Sequence, residues 1–76
     1  MYEKYVNVFI ETLDTDAETA VTLSYQDILD WDSVGHMQLV AALEYTFNIM
    51  FEFEDILDFS SFDKGMEILR KYGVEL

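Results

Sequence analysis

A chain of 76 residues with 16 acids against four bases, a formal charge of −12 and no Cys is one small domain, residues 1–76. It must fold on packing alone, without disulfides or thiolate metal sites. Its acidity excludes phosphate backbones as partners and disfavours anionic membrane surfaces. No stretch approaches the roughly 20 apolar residues that span a bilayer, so no membrane insertion is expected.

A domain this small buries only about 60% of its unfolded surface, and the composition answers with 51% hydrophobic residues, including six Phe, five Tyr and one Trp. Tyr2, Tyr5, Val6, Phe9 and Leu13 recur at helical spacing, which predicts a first amphipathic helix over residues 2–13. Asp14-Thr15-Asp16 stops the pattern. Residues 14–31 keep no helical period but carry apolar anchors at Val21, Leu23, Tyr25, Ile28 and Trp31. They read as a long loop pinned to the core, with a turn of helix expected at Tyr25–Leu29. Loops of this length in small domains tend to carry function.

Asp32 or Ser33 suits an N-cap for the strongest helix, residues 33–48. Leu39, Ala42, Leu43, Thr46 and Phe47 form its inner stripe. A second stripe of Met37, Val40 and Ala41 faces elsewhere; it is either an exposed docking face or a surface covered by the loop. Ile49, Phe51 and Phe53 alternate as in an extended link. Glu54–Phe59 has room for about one and a half turns of helix. Ser60 or Ser61 caps a last helix with Phe62, Met66 and Leu69 inside, Arg70 and Lys71 at its C-terminus and Gly73 to end it. Glu52, Glu54, Asp55 and Asp58 are expected on solvated helix faces. The predicted class is all-α, with three main helices, one short helix and a long first loop.

Three groupings carry chemistry. Asp32, Ser33 and His36 hold the letters of a hydrolytic triad, but sequence neighbours do not face one another on a helix. A Gly-x-Ser-x-Gly elbow is also absent, so no enzyme activity is expected. Asp14-x-Asp16-x-Glu18 begins like a calcium loop, yet Thr19 stands where the turn Gly belongs and Tyr25 where the bidentate Glu belongs; no metal site is expected. Ser33, in the run Leu29-Asp30-Trp31-Asp32-Ser33-Val34-Gly35-His36-Met37, has two readings. It is an ordinary helix cap, or it bears a covalent arm whose phosphodiester sits at the positive end of the helix.

The chain resembles the acyl carrier proteins over most of its length. Asp32-Ser33-Val34 is similar to their Asp-Ser-Leu attachment motif, and Leu39-Val40-Ala41-Ala42-Leu43-Glu44-Tyr45-Thr46-Phe47-Asn48-Ile49 resembles their second helix. Glu54-Asp55-Ile56 and the Ser-capped last helix also fit. The resemblance implies a small four-helix bundle of acyl-carrier type. It also implies that a phosphopantetheinyl transferase moves 4'-phosphopantetheine from coenzyme A onto Ser33, with Asp32 completing the attachment motif. The arm then carries acyl or aminoacyl groups as thioesters from a loading ligase to a downstream acyltransferase or synthase. Val34, His36, Met37, Gln38, Val40 and Glu44 are the expected docking residues. Met37, Met50, Phe53, Ile56 and Met66 are candidates for an acyl pocket, or plain core.

The pattern departs from fatty-acid-synthesis carriers at Gly35 and Gln38, where those proteins usually have acids. The Gly-x-x-Gln spacing is similar instead to D-alanyl carriers and carriers fed by stand-alone adenylating ligases. The expectation is a cytoplasmic, monomeric carrier serving a dedicated pathway of lipid or secondary-metabolite synthesis. The alternative is an acidic interaction module of the same fold that is never modified.

Overall fold

Helix α1 runs from Tyr2 to Leu13 in this structure, a computed structural model that describes residues 1–76. Its buried stripe is Tyr5, Val6, Val8, Phe9 and Leu13. It ends at Asp14, which adopts a left-handed conformation (φ 52°) and donates its N–H to Ile10 O. Asp tolerates this geometry better than most residues with a Cβ.

The expected long loop contains one turn of helix, earlier than predicted. Helix α2 is Ala17–Ala20, and the Asp16 side chain caps it by accepting from Thr19 N at 2.8 Å. Segment Tyr25–Leu29 forms turns, not helix. Asp27 Oδ2 takes the Ser24 N–H, and Gln26 sits at φ 72° with its N–H donated to Trp31 O. Two backbone bonds stitch the loop to the far end of the chain: Tyr25 N to Ser60 O at 2.8 Å, and Phe62 N to Leu23 O at 2.9 Å.

Helix α3 spans Ser33–Phe47 and packs along α1. Leu39 and Leu43 are fully buried, as the inner stripe requires. Val40 is only 2% exposed, so the expected second stripe does not face solvent there. Leu39 and Val40 lie about 100° apart around the axis, and burying both takes the broad apolar face of a core helix. Asn48 closes α3 in a left-handed conformation.

Helix α4 is Phe53–Asp58 and helix α5 is Phe62–Lys71, capped by Ser61 Oγ on Lys64 N. Phe62, Gly65, Ile68 and Leu69 are buried on α5, whereas Met66 is half-buried. The class is therefore all-α with five helices rather than four, α2 being the addition. No helix is long and apolar enough to cross a membrane.

The core is aromatic. The Phe9 ring lies 5.1 Å from Tyr5, 5.5 Å from Trp31 and 5.0 Å from Phe62, centroid to centroid. Full burial of one such ring contributes about 1.5–3 kcal/mol, against about 0.5–1.5 kcal/mol for a well-oriented pair. Removal of area from water dominates. Tyr5 also donates its buried hydroxyl to Phe62 O at 2.6 Å. Burial, and secondarily the charge of Asp63, push its phenol far above the ordinary tyrosine range, so it remains a neutral donor.

Helix α5 can approach only because Gly65 has no side chain. A Cβ there would lie 2.2 Å from the Tyr5 hydroxyl oxygen and 2.7 Å from the Phe59 ring. Tyr5→Phe is expected to lower stability by about 1 kcal/mol and Gly65→Ala by about 1–3 kcal/mol. The second change should cost less in the Tyr5→Phe background, because one of the two clashes is gone. Urea titration of the four proteins checks this; strictly additive losses would mean that the hydroxyl does not limit the approach.

Candidate functional site

Asp32 has extended backbone angles, and its Oδ1 accepts the Gly35 N–H at 2.8 Å. Asp32 is therefore the cap and Ser33 the first helical residue, which leaves the exposed Ser33 hydroxyl with no partner in the chain. The Gly35 and His36 amides are taken by Asp32, whereas those of Ser33 and Val34 meet no acceptor. A hydroxyl and two unpaired N–H groups thus share the positive end of a 15-residue helix.

The chain before Ser33 lies tight against α3. A Cβ on Gly35 would fall 1.9 Å from the carbonyl oxygen of Asp30. Behind this crossing, Trp31 is fully buried and its Nε1 lies 3.0 Å from His36 Nδ1, while His36 Nε2 lies 2.8 Å from Ile56 O. Indole N–H is only a donor, so Nδ1 accepts and the imidazole proton sits on Nε2, donated to Ile56 O. Both ring nitrogens are engaged. None of the contacts of Asp32 or His36 is with the Ser33 hydroxyl, so the triad letters make no nucleophile–base pair.

A cavity of about 350 Å³ opens between α3, α4 and the loop, lined by Tyr25, Ser33, His36, Met37, Phe53, Ile56, Leu57, Phe59 and Ser60. Three expected pocket residues are here: Met37, Phe53 and Ile56. Met50 is not; it is 80% exposed, because the extended link turns Phe51 inward and therefore Met50 outward. Met66 packs against the core from α5, away from this cavity. Tyr25, Leu57, Phe59 and Ser60 were not expected. The i, i+4 pairing of Phe53 with Leu57 is the signal that could have shown one of them.

Among the expected docking residues, Val34, Met37 and Gln38 are exposed. Val40 belongs to the core. Glu44 is half-buried and its Oε2 accepts the Phe51 N–H at 2.9 Å, so it braces the link after α3. His36 is half-buried and held at both ends.

Asp55 also departs from expectation, being buried rather than solvated. Its carboxylate receives Lys71 Nζ and the Tyr72 hydroxyl, each at 2.5 Å, and the Tyr72 oxygen accepts the Glu52 N–H. Hydrogen bonds from Lys71 first and Tyr72 second hold Asp55 below the ordinary carboxylate range. The bond to Asp55 raises Lys71; burial, then the bond to Asp55, raises Tyr72. The calcium-like acids form no such centre. Asp16 is a helix cap, and no group of three or more His, Asp or Glu is placed to hold a metal ion.

Comparison of the chain with protein-family models, with curated proteins and with solved structures finds no match.

Two outcomes follow from this geometry. Gly35→Ala should lower stability by about 1–3 kcal/mol through the forced shift of the Asp30 carbonyl; an unchanged urea midpoint would contradict the close crossing. The Asp55 clamp should set a pH window. The folded-state pKa of Asp55 is depressed, so its contribution is complete above the unfolded value of 3.8 and is lost as pH falls through the lower folded value. Lys71 and Tyr72 are raised, so theirs is complete below 10.5 and 10.0 and is lost on the alkaline side. Asp55→Asn should therefore be less stable than the parent by a constant margin from about pH 5 to 9, with the margin closing on either side. An equal margin at pH 2 and pH 7 would show that the carboxylate charge is not the clamp.

Proposed function

We propose that this chain is an acyl carrier: Ser33 bears a 4'-phosphopantetheine arm and presents acyl or aminoacyl thioesters to the enzymes of a dedicated pathway. The observation that carries this reading is the placement of Ser33. Its hydroxyl is exposed and free because Asp32 does the capping, and it stands beside two unpaired amides at a helix N-terminus. The Asp32-Ser33-Val34 motif and the all-α architecture agree with it.

In the transfer, Ser33 Oγ bonds to the phosphorus adjoining pantetheine while the pyrophosphate bond of coenzyme A breaks. The adenosine bisphosphate half departs, and the hydroxyl proton passes to a base of the transferase. The Ser33 and Val34 amides, which have no acceptor in the chain, would hold the resulting phosphodiester, and the Asp32 cap would give it a fixed origin. When bound, the arm supplies the thiol that a protein without Cys lacks. Tethering keeps the cargo at high effective concentration for successive enzymes.

The dedicated pathway rests on the surface behind Ser33. An acid cannot replace Gly35 while the Asp30 carbonyl crosses there, and Val34, Met37 and Gln38 present an apolar and neutral face. Docking therefore depends on packing more than on ion pairs, so partner affinity should fall little with added salt. A carrier that supported fatty acid elongation as efficiently as a general one would contradict this.

Incubation with coenzyme A and a promiscuous phosphopantetheinyl transferase should add one phosphopantetheine to the intact mass, and Ser33→Ala should abolish the gain. No gain with several transferases would refute the carrier and leave an unmodified interaction module.

A further inference from the structure

We infer that the cavity beside Ser33 is a seat for the proximal segment of the arm itself, the geminal-dimethyl carbon with its neighbouring hydroxyl and amide. The inference rests on the carrier reading. Ser33 lines the cavity, so the atoms that enter it most readily are those a few bonds beyond the Ser33 phosphate. A cargo at the far end of the arm reaches it only by folding back.

The lining suits that segment. Met37, Ile56 and Phe59 offer an apolar wall for the paired methyls. Tyr25 and Ser60 also line the cavity, and neither hydroxyl makes a hydrogen bond within the chain. Two free hydroxyls on an otherwise greasy wall match a ligand that alternates methyl, hydroxyl and amide. They match a plain alkyl chain poorly, since it would desolvate them without replacement bonds.

Phe59, which lines the cavity, is buried, and His36 is pinned between the Trp31 indole and the Ile56 carbonyl. A chain passing between His36 and either partner would break one of those bonds. At the mouth, Phe53 and Leu57 are 71% and 67% exposed, an apolar rim that a seated arm would cover. Because the ligand is tethered, contacts too weak to hold free pantetheine suffice.

The test compares the apo-protein with the unacylated holo-protein by NMR, after intact mass has shown complete conversion. The expected result is nuclear Overhauser contacts from the arm's geminal methyls to Ile56 and Met37, with shift changes at Tyr25, Leu57 and Phe59. The contacts should be lost in a Tyr25→Phe, Ser60→Ala double variant that is still modified and keeps a dispersed spectrum. Full conversion with shift changes confined to Ser33 and its sequence neighbours would overturn the seat while leaving the carrier intact. Contacts that arise only after acylation would assign the cavity to the cargo and overturn it equally. No mass gain would overturn the carrier reading, and the seat with it.

Discussion

One relay of hydrogen bonds joins the three segments that make the site. Trp31 belongs to the loop, His36 to α3 and Ile56 to α4, and the imidazole bonds to both others through its two nitrogens. A buried indole N–H without a partner would cost about 1–3 kcal/mol; His36 removes that cost. The same ring fixes how far α4 stands from α3, and so the width of the cavity. The Ser33 hydroxyl, the Asp32 cap and the Gly35 crossing all lie within this short stretch, so Ser33 is oriented by a part of the loop anchored through the buried Trp31.

Helix α4 needs such anchoring because apolar packing holds it weakly. Its one buried residue is the charged Asp55, Ile56 is half-buried, and Phe53 and Leu57 face outward. Two polar clamps take the place of a greasy stripe: the His36 bond on the α3 side, and the Asp55–Lys71–Tyr72 cluster on the α5 side. Directional bonds fix position where apolar area does not. A six-residue helix could not be stable alone, and it reads best as a braced wall of the cavity.

Residue patterns made most of the scaffold legible. The stripe from Tyr2 to Leu13 placed α1 at its observed bounds, and the capping pairs Asp32/Ser33 and Ser60/Ser61 located α3 and α5 to within a residue at their starts, because capping and periodicity are local physics. What escaped was decided by tertiary contact. Asp55 looks like any acid on a short helix until Lys71 and Tyr72, distant in sequence, are brought beside it. Val40 looks like part of a docking stripe until the broad burial of α3 takes it in. Met50 and Met66 were grouped with Phe53 and Ile56 by chemistry alone, whereas the parity of the link and the face of α5 separate them. Helix α2 was missed because four residues carry no period, although Asp16 and Thr19 have the spacing of a cap and its amide.

The chain has one Trp, and it is the residue that hydrogen-bonds His36 edge to edge, with the two rings inclined by 17°. Its indole is fully buried, two residues before Ser33, and bonded to the side chain that positions α4. The molecule therefore contains its own optical gauge. Light absorbed at the red edge of the ultraviolet band excites Trp31 without the tyrosines. The colour and lifetime of its emission then report whether the imidazole is still docked and the cavity wall still closed, with no label attached.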